Sequence, residues 1–331
     1  MGISKKGFFI AVCFLVLSSC FNNADRDNPL DPRSDNYQSS GEINGTVYTY
    51  YAPYKPLGSA MLTIIPGYQN VFTNQNGAFS FSNLIPGDYL VKVQYSNYAS
   101  DSAQVQVESK KATTIQFYLD GLPLLDSLRL NSGFVHEQFP IESSRLLECK
   151  AKVADPDGLG DISSVSILMP DFSFKSPLQM SPTLGNFQKR FMESDLPVND
   201  IEELFGHSFF IEITDQAGQV SLTGPHFMFR VIDQEPEIEA PRSSALVKNK
   251  PLLKWKAMQL PFPFTYRVEV YRIIDLILFE LAVSVSNLPP DSLELQVQTA
   301  LKPGSYLWTV SVVDEFGNWS SSIRATFQVG A

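Results

Sequence analysis

The stretch TNQNGAFSFSNLIPGDYLVKV, residues 73–93, indicates the fold more clearly than any other part of this sequence. Phe79 and Phe81 alternate with polar residues, as in a strand that is buried on one face. Asn76-Gly77 tolerates the positive φ that a tight hairpin turn needs, and Pro86-Gly87 is a second turn signal. The stretch therefore predicts short β-strands joined by tight turns.

The same pattern extends over residues 42–120, where short alternating segments are separated by turn residues. The motifs with a family resemblance are Gly45-Thr46-Val47, Pro56-Leu57, the strand at 60–65, and the segments 73–81, 84–89 and 95–98. On these motifs, residues 42–120 resemble the carboxypeptidase regulatory-like domain. The resemblance implies a small transthyretin-like β-sandwich that serves as a non-catalytic module of surface proteins.

Residues 121–235 are predicted to form a second domain, which resembles bacterial immunoglobulin-like domains. One short helix is expected inside it, with Asn199 as its cap, Glu202 completing a capping box and Gly206 at its end. Its strands alternate, and four sets of apolar residues are each expected to face one way: Leu147/Cys149/Ala151/Val153, Val165/Ile167/Met169, Phe209/Ile211/Ile213 and Phe227/Phe229/Val231.

Residues 236–331 are predicted to form a third domain, which resembles fibronectin type III domains. That resemblance implies that Trp255 fills the core and that Tyr306, after the Pro303-Gly304 turn, steadies a corner. The apolar segment 273–283 is expected to be a central strand, with an exposed edge strand as the alternative. The predicted fold class is thus all-β, with three tandem β-sandwich domains after a signal peptide and a tether.

The first nineteen residues are predicted to be a lipoprotein signal peptide. Lys5 and Lys6 precede an apolar run of eleven residues, which is about 16 Å long as a helix and too short for a membrane span. Leu17-Ser18-Ser19-Cys20 resembles the lipobox of bacterial lipoproteins, which implies that Cys20 carries the lipid and anchors the chain to the membrane. Residues 20–41 then form a flexible tether.

Two further features of the sequence bear on location and partners. Phe21 rather than Asp follows the lipid cysteine, which under the enterobacterial sorting pattern indicates the outer membrane of a Gram-negative bacterium. The formal charge of −10 becomes −12 once Lys5 and Lys6 leave with the signal peptide, which argues against nucleic acid as a partner. We expect a protein or a glycan of the cell envelope instead.

The segment Asp155-Pro156-Asp157-Gly158-Leu159-Gly160-Asp161 is the best candidate for a ligand site. The carboxylates of Asp155, Asp157 and Asp161 could bind Ca²⁺, although the segment lacks the pattern of an EF-hand loop. The alternative is a plain connecting turn in which Asp side chains accept hydrogen bonds from nearby backbone N–H groups. No other cofactor is expected.

Tyr48, Tyr50, Tyr51 and Tyr54 form a second candidate, because an aromatic cluster can stack on sugar rings. In the alternative interpretation, two of these side chains pack under the sheet and two cover a turn at Pro53.

No catalytic residues are predicted. His136, His207 and His226 lack metal-ligand spacing, and Cys149 is expected to be a buried structural thiol. We therefore expect a non-enzymatic binding or scaffolding module. Two alternatives stay open: an accessory hydrolase of cell-surface polymer, which needs a cleft joining His207 or His226 to carboxylates, and an adhesin stiffened by Ca²⁺.

Overall fold

The computed structural model describes residues 31–34, 37, 39–136, 143–275 and 278–330. Cys20, the signal peptide and most of the predicted tether lie outside these residues. Within the described ranges, the regular structure consists of β-strands and four short 3-10 helices, and no α-helix occurs. No helix in this part of the chain is long and apolar enough to cross a membrane. The all-β prediction is confirmed.

The chain divides into two compact units, Met1–Gly121 and Leu122–Ala331. The described residues of the first unit form seven strands: β1 (Gly41–Thr49), β2 (Met61–Ile65), β3 (Asn70–Phe72), β4 (Ala78–Leu84), β5 (Gly87–Gln94), β6 (Asp101–Val107) and β7 (Ala112–Leu119). They form two sheets, with the orders β4-β1-β7 and β3-β2-β5-β6. The inward-facing apolar side chains of both sheets make one core, which includes Ile43, Leu62, Phe81, Val91 and Phe117. The unit is therefore a β-sandwich.

The two predicted turns of this unit are present, but neither of them joins a hairpin. Gly77 has a φ of 72° and its N–H donates to the carbonyl of Asn74 at 2.9 Å. The strands on either side, β3 and β4, nevertheless belong to different sheets, and so do β4 and β5 on either side of Pro86-Gly87. The hairpin expectation was wrong because each of these turns connects one sheet of the sandwich to the other. After the turns, β4 pairs with β1 and β5 pairs with β2.

Where the structure describes the second unit, it contains seventeen strands and the four 3-10 helices. The strands are β8 (Leu124–His136), β9 (Ser143–Ala154), β10 (Ile162–Met169), β11 (Phe174–Pro177), β12 (Gln179–Met180), β13 (Asn186–Met192), β14 (Phe209–Asp215), β15 (Val220–His226), β16 (Ile238–Ala240), β17 (Ala245–Val247), β18 (Leu252–Trp255), β19 (Phe264–Ile273), β20 (Phe279–Leu288), β21 (Glu294–Gln296), β22 (Gly304–Asp314), β23 (Trp319–Ser321) and β24 (Ala325–Val329). The 3-10 helices are Leu159–Asp161, Pro170–Phe172, Glu193–Asp195 and Ile201–Leu204.

The first core of this unit lies under β9, β10, β13 and β14. Three of the four predicted apolar sets are buried there, namely those of residues 147–153, 165–169 and 209–213. The fourth set was wrong, because β15 ends at His226 and Phe229 is 70% exposed. The segment after His226 instead passes from one core to the next, with Met228 buried in the first core and Ile232 in the second.

The short helix predicted near residue 200 is a 3-10 turn, Ile201–Leu204. Its cap is Asp200 and not Asn199, because the Asp200 carboxylate accepts the N–H of Glu202 at 2.9 Å. Gly206 follows the turn with a φ of 78°.

The second core contains Trp255, which is buried and packs edge-on against Tyr266 with ring centroids 5.5 Å apart. The Tyr306 hydroxyl donates to the carbonyl of Lys302 at 2.8 Å, as the predicted corner requires. Tyr89 makes the same bond to the carbonyl of Ile85 at 2.9 Å. Both tyrosines lie in a Leu-x-Pro-Gly-x-Tyr segment, so the same hydrogen-bonded turn occurs in both units.

The apolar segment 273–283 is not a central strand. It covers the end of β19 and the start of β20, with residues 276–277 outside the described residues, and β20 is the edge strand of its sheet. Leu278 and Leu281 are more than half exposed. The alternative of an exposed edge is the one observed.

One ten-stranded sheet runs through both cores of the second unit, because β8 pairs with β23 in parallel. Gly133 lies opposite Trp319, and a Cβ at Gly133 would lie 2.5 Å from the indole ring. Next to it, the N–H of Ser132 donates to the Asn318 side chain at 2.9 Å. We call these contacts of β8 with β23 and the preceding turn the junction. The boundary predicted between residues 235 and 236 stays a prediction.

Candidate functional site

Three tyrosines form an exposed aromatic cluster on the first unit. Tyr48 stacks on Tyr118 with ring centroids 5.9 Å apart, and Tyr54 packs edge-on against Tyr118 at 5.3 Å. Tyr54 is 56% exposed and Tyr118 is 38% exposed, whereas Tyr48 is half-buried. We call Tyr48, Tyr54 and Tyr118 the aromatic face.

The aromatic face follows from strand pairing and from one loop. β1 and β7 pair in parallel with Tyr48 opposite Tyr118, so both rings stand on the same side of the sheet. The loop after β1 returns Tyr54 to them, held by the N–H of Thr49 donating to the carbonyl of Lys55 at 2.9 Å.

The four predicted tyrosines therefore separate into two groups. Tyr48 and Tyr54 belong to the aromatic face, while Tyr50 and Tyr51 contact each other at 5.1 Å. Neither of the latter is buried beneath the sheet, so the alternative packing under the sheet is not observed. Tyr118 was missed, because its place depends on a parallel register between strands at opposite ends of the unit.

Beside the aromatic face, the outer side of the sheet presents two residue pairs without charge, and Glu42 at the start of β1 is the charged residue on that face of β1. Asn44 pairs with Thr114 and Thr46 pairs with Gln116 across β1 and β7. Gln116 accepts a hydrogen bond from the Tyr118 hydroxyl at 3.1 Å. The surface thus combines exposed rings with amide and hydroxyl groups, which is the combination that stacks on a neutral polar ligand and orients it.

The predicted Asp-rich segment lies between β9 and β10, and part of it is the expected turn. The Asp155 carboxylate accepts the N–H of Asp157 at 2.7 Å, and the carbonyl of Asp155 accepts the N–H of Gly158 at 3.0 Å. Leu159–Asp161 then forms a 3-10 helix.

The structure also brings a more distant residue to this segment. One ligand atom each of Asp155, Asp161 and Asp215 lies within 4.8 Å of the other two. Asp215 ends β14 and lies outside the predicted segment. We call these three side chains the carboxylate cluster.

Electrostatics within the carboxylate cluster disfavour the charged form of Asp155. Burial raises the pKa of Asp155 to about 6, and the nearby carboxylates of Asp161, Asp157 and Asp215 add to the rise. The hydrogen bond from the backbone of Asp157 acts in the opposite direction.

The histidines do not form the arrangement that a hydrolase would need. His207 lies on the surface, where its Nδ1 atom is 2.8 Å from Oδ2 of Asp171. Burial lowers the pKa of His226, and its Nε2 has no hydrogen-bond partner among the described residues. His136 pairs with Glu235.

A cleft of about 860 Å³ lies beside the junction, on the second unit. Its wall includes Trp319, with the guanidinium groups of Arg190 and Arg267 each 5.9 Å from the ring centroid. Neither His207 nor His226 lines this cleft. It therefore contains neither of the two histidines named for the hydrolase alternative, whereas His136, which pairs with Glu235, lines it together with Glu148 and Glu269.

Cys149 is buried in the first core of the second unit, as predicted. Burial raises the pKa of its thiol to about 12, which keeps the sulfur protonated and unreactive.

Comparison with known families identifies the first unit. Residues 42–120 match the carboxypeptidase regulatory-like domain. The match covers the same residues as the resemblance drawn from the sequence, and these make up about a quarter of the chain. The aromatic face thus lies within the part of the chain that matches the carboxypeptidase regulatory-like domain. None of the curated proteins matches the chain.

Solved structures with some similarity are remote in sequence. The major pilin subunit BcpA of Bacillus cereus is 8% identical, with 88% of this chain and 96% of that chain covered and a TM-score of 0.32. The FN1–FN3 domains of chicken CNTN1 are 10% identical, covering 88% and 95% with a TM-score of 0.26. A DUF3823 family protein from Parabacteroides merdae is 14% identical, covering 57% and 97% with a TM-score of 0.23.

Proposed function

We propose that this protein is a lipid-anchored protein of the bacterial outer membrane that binds a neutral glycan of the cell envelope without catalysis. The aromatic face carries the binding part of the proposal. Its rings are exposed and adjacent, and the outer strand positions next to them present amide and hydroxyl groups instead of charges. Such a surface can stack on sugar rings and bond their hydroxyl groups.

The anchoring part of the proposal depends on the sequence. Lys5 and Lys6, the apolar run and the lipobox ending at Cys20 together support a lipidated N-terminus. Several acyl chains on one cysteine are enough for stable attachment. The tether would then hold the carboxypeptidase regulatory-like domain within reach of envelope polymers.

The non-catalytic part is supported by the settings of His207, His226 and the Cys149 thiol. His207 pairs with a surface carboxylate, His226 Nε2 lacks a partner among the described residues, and Cys149 is buried and protonated. These settings do not favour general base or nucleophilic chemistry.

Binding is tested with the full chain in mild detergent on an array of neutral oligosaccharides, followed by titration with the best ligand. Tyr118→Ala removes the ring that contacts both Tyr48 and Tyr54. It should weaken glycan binding about tenfold, which corresponds to ~1.4 kcal/mol of binding free energy. The control is Tyr68→Ala, since Tyr68 is 73% exposed on the same unit and lies outside the aromatic face. Equal affinity of Tyr118→Ala and the unchanged chain would contradict the glycan proposal, and capture of a protein instead would point to the other class of partner.

Anchoring is tested separately by labelling cells with a radioactive or clickable fatty acid. The chain should take up the label and fractionate with the outer membrane, and Cys20→Ser should lose both properties. If the protein with the unchanged sequence takes up no fatty-acid label, the lipid anchor is refuted and the glycan-binding proposal is unaffected.

A further inference from the structure

The carboxylate cluster holds three acidic side chains from two separate loops against one another. Asp155 and Asp161 come from the segment between β9 and β10, and Asp215 comes from the turn between β14 and β15. The N–H of Gln216 donates to the carbonyl of Asp161 at 2.8 Å, which fixes the two loops to each other. The approach of the carboxylates is therefore built into the backbone.

Each of these carboxylates has a buried oxygen without a partner. The Oδ2 atoms of Asp155, Asp161 and Asp215 make no hydrogen bond to any described residue. Asp161 is 7% exposed and Asp215 is 2% exposed. Buried carboxylate oxygens are normally paired, because an unpaired buried charge is strongly unfavourable. Three of them together indicate that a positive charge belongs between them.

A second turn of the same unit contains an aspartate whose negative charge is paired with a cation. Asp314 and Asp215 each accept, through Oδ1, the N–H of the residue four positions later, at 2.8 and 2.7 Å. Asp314 Oδ2 also contacts the guanidinium of Arg230 at 2.9 Å. At Asp215, the equivalent oxygen faces two carboxylates instead of a cation.

We propose that Asp155, Asp161 and Asp215 bind one Ca²⁺ ion, which joins the two loops at this end of the sandwich. The donors are all carboxylate oxygens, which favours a hard cation. Ca²⁺ is favoured over Mg²⁺ because Mg²⁺ sites usually use one or two carboxylates and several waters instead of a dedicated protein cage. Asp215 supplies the third carboxylate of the cluster, while a ligand atom of Asp157 also lies within 4.8 Å of one of Asp161 and the N–H of Asp157 donates to the Asp155 carboxylate.

The test is calorimetric titration of the full chain with CaCl₂ after treatment with chelator, together with thermal unfolding. We expect one Ca²⁺ per chain, and a melting temperature that saturating Ca²⁺ raises by about 5 °C. Asp215→Asn keeps the side-chain oxygen that accepts the N–H of Gln219 but removes the charge. It should abolish binding and raise the melting temperature of the metal-free protein, whereas an aspartate needed only for its turn would give no such gain.

The matched control is Asp126→Asn, because Asp126 pairs with Lys152 on the surface of the same unit. It changes the charge equally and should leave the Ca²⁺ response unchanged. The proposal is overturned if Ca²⁺ produces neither heat nor a thermal shift, or if Asp215→Asn binds as well as the unchanged chain. An equal response to MgCl₂ would overturn the assignment to Ca²⁺. None of these outcomes depends on the aromatic face or on Cys20.

Discussion

Replacing Gly133 with alanine should break the junction between the two cores of the second unit. The added Cβ would lie 2.5, 2.6 and 2.7 Å from three carbon atoms of the Trp319 ring, closer than side chains approach each other. Trp319 has little freedom to move away, because it is 7% exposed and also pairs with Val313 of β22.

The size of the effect follows from the contacts that must give way. Overpacking of a close contact costs about 1–3 kcal/mol. Loss of the neighbouring bond from Ser132 to Asn318 adds about 1 kcal/mol. Replacing a glycine within a strand by alanine stabilises the folded state by about 0.5–1 kcal/mol, which offsets part of this loss. The free energy of unfolding should therefore fall by about 1–3.5 kcal/mol, which corresponds to a decrease of about 2–14 °C in melting temperature.

The assay is urea unfolding of the full chain followed by tryptophan fluorescence. Gly330→Ala is the control, since its Cβ would meet nothing closer than 3.5 Å and its stability should stay within about 0.5 kcal/mol. Combining Gly133→Ala with Trp319→Leu should recover part of the loss, with a coupling of at least ~0.5 kcal/mol. An unfolding free energy for Gly133→Ala equal to that of the unchanged chain would refute the reasoning.

Three further perturbations address other contacts. Arg230→Met should destabilise the protein by about 3 kcal/mol in urea unfolding, because it leaves the fully buried Asp314 carboxylate without its cation; a loss below ~1 kcal/mol would show that the ion pair is dispensable. Tyr306→Phe should cost about 1 kcal/mol by removing the hydroxyl that donates to Lys302, and an unchanged melting temperature would contradict the corner's role. In a variant with Cys13 and Cys20 replaced by serine, Cys149 should not react with a thiol reagent at pH 8 while the protein is folded, and it should react fully in urea. The reason is that burial raises the pKa of the Cys149 thiol to about 12 and so stabilises the neutral thiol. Rapid labelling of the folded chain would contradict the buried position.

Local features of this protein could be predicted from its sequence. Alternation placed Leu147, Cys149 and Ile211 in the core, and the resemblance to fibronectin type III domains implied the corner at Tyr306. In each case the information lies within a few residues, because side-chain direction in a strand depends only on parity.

Features that depend on distant pairing could not be predicted in the same way. Tyr118 reaches Tyr48 through a parallel register, and Asp215 reaches Asp161 because β10 and β14 are neighbours. The junction likewise pairs Gly133 with Trp319, far apart in the chain. The apolar alternation at Phe227 and Phe229 predicted a buried strand face wrongly for a related reason: that segment crosses between two cores instead of joining a sheet.

The parallel pairing of β1 with β7 has a mechanical consequence. The chain enters β1 at Gly41 and leaves β7 at Leu119, so tension applied at these two points slides the strands lengthwise past each other. Eight consecutive residue pairs, from Glu42 with Ala112 to Thr49 with Leu119, then share the load and must yield together. Forced unfolding is controlled by how fast such a barrier is crossed. A protein pulled from its N-terminal side would keep this sandwich closed under forces that unzip a hairpin one bond at a time.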